Sequence, residues 1–392
     1  MQALPLNRSA AELPVPSDDA RRHSDRLVEE IRAEVERHGG WISFARYMEL
    51  ALYAPGLGYY VAGAAKLGAV GDFVTAPEIS PLFGRTLAGQ VAEILAHSGG
   101  GVLELGAGSG ALALSLLEEL QARNRLPDRY RILEVSPELA QRQRRLLLQR
   151  LPGLADRVEW ITSLPPHFTG VVVANEVLDA LPVHLLAWRD EGVRERGVAW
   201  KREGFAWAER SLAPGALRDA AAALQIEAPY QSEVSIAAPA LVRTLAGALD
   251  PGVLLCVDYG FGRHEYYHPQ RNRGTLMCHY RHRAHDDPFL FPGLQDITAH
   301  VEFTSVAEAG IETGLQLLGY ATQAQFLINC GIADLLARTP AEQTAAYLPL
   351  AAGVQKLVSP AEMGELFKVI ALGRGVQPPL AGFKTGDKSR LL

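Results

Sequence analysis

Between residues 102 and 110 the chain reads Val-Leu-Glu-Leu-Gly-Ala-Gly-Ser-Gly, an apolar run that breaks into three glycines spaced two apart. No other segment restricts the fold as strongly. Glycine is required where backbone takes positive φ or must come close to a ligand. A strand that ends in such a loop and restarts as a helix puts the loop beyond the carboxyl edge of an open α/β sheet. Ligands of that architecture sit there. The following residues keep the alternation: helix is expected over 111–122, strand over 130–135, a strongly charged helix over 138–151, and strands over 158–162 and 171–174. That β-α-β-α-β order implies a mostly parallel, doubly wound sheet.

The flanking regions are less regular. Residues 1–22 mix Pro, Ser, Asp and Arg without periodicity, which reads as a flexible tail. Over 24–38, Leu27, Ile31 and Val35 recur at helical spacing until Gly39-Gly40 ends the pattern. A second helix is expected over 42–52 and another over 82–96. Between them lies a Gly-, Pro- and Tyr-rich stretch, 54–81, whose length suggests a functional loop. After the sheet core, 187–210 reads as strands joined by Gly turns and 234–249 as helix. Residues 253–259 read as a buried strand, 261–297 as irregular, 305–318 as helix, and 321–328 and 366–372 as strands. The expected division is a tail over 1–23, a helical cap with a cofactor-covering loop over 24–100, and one catalytic domain over 101–375. That domain carries insertions at about 187–235 and 261–300, and 376–392 is a second tail.

Composition narrows the class of function. The net charge of −6 argues against non-specific nucleic-acid binding, which needs clustered Lys and Arg. No apolar run approaches the roughly 20 residues that span a bilayer. Three cysteines far apart fit a reducing compartment rather than a disulfide framework. No signal peptide is recognisable, and Glu12, Asp18 and Asp19 count against a transit peptide. A cytoplasmic location is expected, or the mitochondrial matrix if the source is eukaryotic.

Two cofactors compete for the glycine loop. Gly106, Gly108 and Ala111 satisfy the dinucleotide fingerprint, so a nicotinamide oxidoreductase is an alternative. Glu104 tilts the balance. Two residues ahead of the first glycine, its carboxylate would repel a pyrophosphate but attract the cationic amine of S-adenosylmethionine. With Gly110 the loop becomes E-x-G-x-G-x-G, which resembles motif I of class I methyltransferases. Glu134 closes the second strand, where an acid can accept both ribose hydroxyls of either cofactor.

Further segments, in order along the chain, resemble one family. They are Tyr-Ala-Pro-Gly-Leu-Gly-Tyr-Tyr at 53–60, Gly-Asp-Phe-Val-Thr-Ala-Pro-Glu at 71–78, and Asn-Glu-Val-Leu-Asp-Ala-Leu-Pro at 175–182. Val-Asp-Tyr-Gly at 257–260, the His-rich run 274–288 and Asp-Ile-Thr-Ala-His-Val at 296–301 follow. Together they are similar to the MidA-type methyltransferases, which include mitochondrial complex I assembly factors that methylate an arginine. The resemblance implies a Rossmann-like class I methyltransferase sheet with an N-terminal helical cap and inserted substrate-binding elements. It implies S-adenosylmethionine as cofactor, and protein-arginine N-methylation of a respiratory complex I subunit or related protein. A small-molecule methyltransferase on the same fold, or a non-catalytic assembly chaperone that retains the cofactor site, are the alternatives.

The candidate cofactor-binding residues are Glu104, Gly106, Gly108, Gly110, Glu134, Asp72, Thr75 and Asn175. A guanidinium acceptor calls for carboxylates that grip it in two-point fashion. Glu176 and Asp179, just past the fourth strand, and Glu78, on the long loop, are the catalytic candidates. Asp179 could instead start a helix, and Asp258 could line the acceptor pocket or cap a turn. His279, His282 and His285, with Cys278, Asp286 and Asp287, carry zinc-type ligands. Their spacing matches no helical metal motif and Arg281 and Arg283 interrupt them, so no metal is expected. His184 reads as a structural histidine.

Overall fold

The computed structural model describes residues 13–62, 74–202 and 204–392. Asp72 therefore lies outside the described residues. The chain forms two compact units, each assembled from three segments.

The larger unit comprises Val74–Leu178, Pro239–Arg263 and Val301–Leu392. Its sheet contains β1 (Gly101–Leu105), β2 (Tyr130–Leu133), β3 (Val158–Ile161), β4 (Phe168–Asn175), β5 (Leu249–Phe261), β6 (Gln316–Thr322) and β7 (Phe367–Arg374). They lie in the order β6-β7-β5-β4-β1-β2-β3, with the short strand Val301–Glu302 added to the end of β5. β1 to β5 pair in parallel, and β7 runs antiparallel between β5 and β6. The chain order reverses between β1 and β4, the switch point at which such sheets bind ligands.

Sequence explains the centre of this sheet. Val171, Val172, Val173 and Ala174 of β4 are all buried, as expected for a strand covered on both faces. Gly101, Gly170 and Gly252 stand in register at the opposite edge. A Cβ on Gly170 would fall 2.0 Å from the Gly101 carbonyl oxygen, so the strands could not pack there with any side chain. The helix Pro81–Ser98, which the sequence placed with the cap, contributes Leu82, Phe83, Leu87, Val91 and Ile94 to the core of this unit.

Among the described residues, the smaller unit comprises 13–62, Asp179–Ala238 and His264–His300. Helices Asp18–Arg37 and Phe44–Tyr53 pack with a five-stranded sheet built from Ile42–Ser43, His184–Arg189, Gly192–Lys201, Gly204–Ser211 and Tyr230–Val234. Residues 261–297, expected to be irregular, instead contain a three-stranded sheet of Met277–Tyr280, Arg283–His285 and Asp296–Thr298. Its strands are three or four residues long, too short for alternation to register in the sequence.

Four boundaries differ from expectation for local reasons. The first helix begins at Asp18, because Ser17 accepts from the Ala20 N–H and two acids occupy the first turn. The helix expected over 305–318 is Phe303–Glu312, followed by Gly314 at φ 83° and then β6. The strand expected over 321–328 is mostly the helix Gln323–Asn329, which starts where the Thr322 hydroxyl accepts from Gln325 N–H. Residues 230–234 form a strand, and the next helix starts at Ala237, with the Ser235 hydroxyl accepting from Ala238 N–H.

Candidate active site

Leu105 stands in register with Leu133 on one side and Ala174 on the other. Gly106, Glu134 and Asn175 therefore leave the sheet along one line at its carboxyl edge. Gly106 N–H donates to Leu133 O at 3.0 Å, and Glu134 N–H to Ile161 O at 3.2 Å, which extends the ladder to its last possible bond. Gly106, Gly108 and Gly110 hold φ of 58°, 54° and 85°, all left-handed. A Cβ on Gly106 would meet nothing nearer than Val177 Cγ2 at 3.7 Å, so the space in front of the loop is open. Gly110 begins the helix Ala111–Ala122, whose free N–H groups and positive dipole end face the same edge.

Two buried acids stand beneath the loop. Glu104 lies within β1, where its Oε2 accepts from the Tyr130 hydroxyl at 2.6 Å. Burial pushes its carboxyl up to about 7; the Tyr130 bond opposes the shift and the Glu134 charge adds to it. Glu134 accepts from Ser136 N–H at one oxygen and from Gln143 Nε2 at the other, both at 2.9 Å. Burial raises it as well, against bonds from Ser136, Gln143 and Val135.

The raised Glu104 carboxyl has a consequence for stability. The folded protein holds a proton that the unfolded chain has already lost, so stability falls as pH rises from about 4.5 through about 7 and levels off above. Glu104→Gln keeps an acceptor for Tyr130 and removes the titration. The variant should gain on the order of 2–3 kcal/mol over the parent between about pH 5 and pH 8 in thermal or urea unfolding without ligand. A difference that does not move with pH would show that Glu104 does not titrate in that range.

The loop after β4 carries the next group. Asn175 ends the strand, and its Nδ2 donates to Glu176 Oε1 at 3.1 Å. Asn175 Oδ1 is buried with no hydrogen-bond partner among the described residues, a position that a ligand donor would satisfy. Glu176 takes φ 52°, uncommon for a residue with a side chain. Its N–H donates to Val257 O at 2.9 Å, and its Oε1 also accepts from Ala76 N–H at 3.2 Å. Asp258 is buried and accepts from Leu178 N–H and Tyr259 N–H, both at 2.9 Å. Of its two readings, turn capping is the one these bonds describe, and it pins the Glu176 loop to β5.

Thr75 and Glu78 belong to the same unit. Glu78 Oε2 accepts from Thr75 N–H at 3.3 Å, closing a capping box on the short helix Ala76–Ile79. Asp179 falls in the smaller unit, buried, with its carbonyl accepting from Ala299 N–H at 3.1 Å. Nearby, Tyr53 donates to Ala180 O and Tyr60 to Asp296 Oδ1 at 2.8 Å. In the His-rich run, Cys278 pairs in register with His285 and both are buried. Burial raises the Cys278 thiol and lowers His285, so both favour their neutral forms. Among the described residues, no three His, Cys, Asp or Glu side chains converge to hold a metal ion. His184 contacts Glu195 at 2.7 Å within the smaller unit's sheet.

Gln143, Tyr130 and Ala76, which bond to Glu134, Glu104 and Glu176, were not singled out from the sequence, nor was Trp160, which bonds to Gln143. The one legible hint was Gln143. It precedes Leu147 by four positions and shares its buried face in an otherwise charged helix, where a polar residue needs partners.

These residues suit a nucleoside cofactor bearing positive charge. The glycine loop leaves open space at Gly106, two buried acids, Glu104 and Glu134, lie on the strands that lead to it, and Asn175 offers an acceptor without a partner among the described residues. Sheet order, switch point and loop together define a class I methyltransferase. The chain belongs to the family described as "Putative S-adenosyl-L-methionine-dependent methyltransferase", matched over residues 86–321. It is 30% identical over 367 residues to the mitochondrial protein arginine methyltransferase NDUFAF7 of Danio rerio, covering 85% of this chain and 83% of that one. The Mus musculus relative of the same name is 30% identical over 364 residues, covering 85% and 81%. A crystal structure from Burkholderia thailandensis with S-adenosylhomocysteine bound is 51% identical, with a TM-score of 0.95 over 97% of this chain and 100% of that one. The protein is a methyltransferase that uses S-adenosylmethionine. No helix among the described residues is long and apolar enough to cross a membrane.

Proposed function

We propose that the acceptor is an arginine side chain of a protein, and that the transferred methyl goes to a guanidinium nitrogen. The observation that carries this reading is Glu176. A carboxylate at the end of a central strand, on backbone held at positive φ, is costly and persists where function requires it. One of its oxygens is fixed by Ala76 N–H and Asn175 Nδ2. A guanidinium is always charged in water, so its site must supply an anion that replaces solvent and fixes its plane. S-adenosylmethionine, when bound, supplies an electrophilic methyl on a good leaving group. The protein's task is then to orient the acceptor, exclude water and receive the proton that the nitrogen loses. Glu176 is placed for the first and last of these. Relatives named as protein arginine methyltransferases support the substrate class, and the MidA-type resemblance supports a respiratory complex I subunit as the natural target in the cytoplasm or mitochondrial matrix.

On this reading the nucleoside end rests on Gly106, Gly108, Gly110 and Glu134, and the amino-acid end on Glu104, Thr75 and Asn175. Asp179 and Asp72 are further candidates from the family pattern. Glu134→Ala should weaken S-adenosylhomocysteine binding by about 1–3 kcal/mol, because the ribose hydroxyls lose a charged acceptor. The loss should nearly vanish for an analogue lacking those hydroxyls. Equal losses by calorimetry would assign Glu134 to folding instead. For the acceptor, the test is incubation of lysate with purified protein and methyl-labelled cofactor, then identification of the labelled residue. Label on arginine supports the reading, and label on a small molecule or on lysine overturns it.

A further inference from the structure

Gln143 is fully buried on the helix Pro137–Arg150, yet both its amide nitrogen and its carbonyl oxygen have partners, in three hydrogen bonds. Its Nε2 donates to Gly108 O and to Glu134 Oε2, each at 2.9 Å. Its Oε1 accepts from the Trp160 indole N–H, also at 2.9 Å. Two acceptors on one side of the amide and one donor on the other leave it a single orientation. The same side chain lies against the loop at Gly110, where a Cβ would meet Gln143 Cγ at 3.4 Å. Trp160 is held in turn by the Arg144 guanidinium over its ring, 4.8 Å from the centroid.

We propose that Gln143, oriented from behind by Trp160, is the positioning residue that fixes the Glu134 carboxylate and the Gly108 carbonyl as one rigid cradle for the cofactor's ribose. This rests on the assignment of Glu134 to the ribose hydroxyls. The physical need is specific. Burial drives Glu134 toward its protonated form, which would lose part of its capacity to accept hydroxyl bonds. Gln143 is one of the few donors that oppose this. It also ties the acid to the glycine loop, so that neither can move without the other. A hydrophobic residue at 143 would leave Gly108 O, Glu134 Oε2 and Trp160 Nε1 each short of a partner.

The test is S-adenosylhomocysteine affinity by calorimetry at about pH 6 and about pH 8, with thermal unfolding as the check on folding. Trp160→Phe keeps the ring and removes one donor; it should bind about 3- to 10-fold more weakly. Gln143→Leu should bind at least about 10-fold more weakly. Gln143→Glu gives the distinguishing result, because two carboxylates within hydrogen-bond distance repel each other when both are ionised and bond to each other when they share a proton. Its affinity should be poor at the higher pH and recover at the lower one as the pair shares a proton. The parent protein, with a single carboxylate at this position, should show no such recovery as pH falls. If Gln143→Leu does not fold, Trp160→Phe and Gln143→Glu decide the matter. Unchanged affinity in both, or equal losses for an analogue without ribose hydroxyls, overturns the proposal. Should Glu134→Ala itself leave binding intact, the ribose assignment fails. Should Glu134→Ala weaken binding while the Gln143 variants do not, only the positioning role fails.

Discussion

Gly108→Val should abolish detectable binding of S-adenosylmethionine and S-adenosylhomocysteine. Two effects act together. Gly108 holds φ 54°, a conformation that costs a β-branched residue on the order of 1–3 kcal/mol. On the assignment of this loop to the cofactor, a branched side chain would also keep the ligand from approaching the backbone closely. Because the position is in a loop and not in the core, the variant should remain folded, with a modest fall in Tm. Gly108→Ala should be intermediate, paying part of the backbone cost without the branch. Calorimetry with each ligand, beside thermal unfolding of the same samples, separates the two effects. Normal affinity in a folded Gly108→Val protein would remove this loop from the cofactor site.

Glu176→Gln should reduce methyl transfer by at least about 100-fold, equivalent to about 2.7 kcal/mol in the barrier. Glutamine keeps the shape of the side chain, and its Oε1 can still accept from Ala76 N–H and Asn175 Nδ2. What it loses is the charge that orients a guanidinium and receives its proton. Cofactor affinity should stay within about 3-fold of the parent, since the glycine loop and Glu134 are untouched. Single-turnover methylation and calorimetry on one preparation check both statements. Full methylation would take Glu176 out of the mechanism, and lost cofactor binding would move it to the cofactor site. A target peptide with lysine in place of arginine should be methylated poorly by the parent protein, because an ammonium cannot make the planar two-point contact.

Much of the fold was legible because short-range chemistry writes it. The run 102–110 announces strand, loop and helix by composition alone, and its three glycines adopt the left-handed backbone that only glycine takes without cost. β4 announces itself by consecutive buried valines. The same rules stopped short at 277–298, where strands of three or four residues carry too few positions for a period to show. They misplaced 321–328, where a single threonine decides whether an apolar run continues as strand or turns into helix.

The proposed cofactor edge could be put forward for a related reason: Glu104, Gly106, Gly108, Gly110 and Glu134 lie within 31 positions, on two adjacent strands and the loop between the first of them and its helix. Gln143 and Trp160 could not be, since what joins them to Glu134 is one buried face of a helix meeting the end of β3. The long-loop acids show the same limit. Glu78 looked like a substrate carboxylate, and the folded chain spends one of its oxygens on a capping box. Asp258, on β5, read equally as a pocket wall or a cap, and in the folded chain it accepts from two backbone N–H groups, those of Leu178 and Tyr259. Sequence by itself determined the class of sheet, the left-handed glycine loop at its carboxyl edge and the acid that ends the next strand, because each follows from residue types a few positions apart. Tertiary structure alone decided which buried polar groups hold that acid, which carboxylates are consumed by the backbone, and which segments share a core. Those outcomes depend on which distant donors and acceptors meet once water has been excluded.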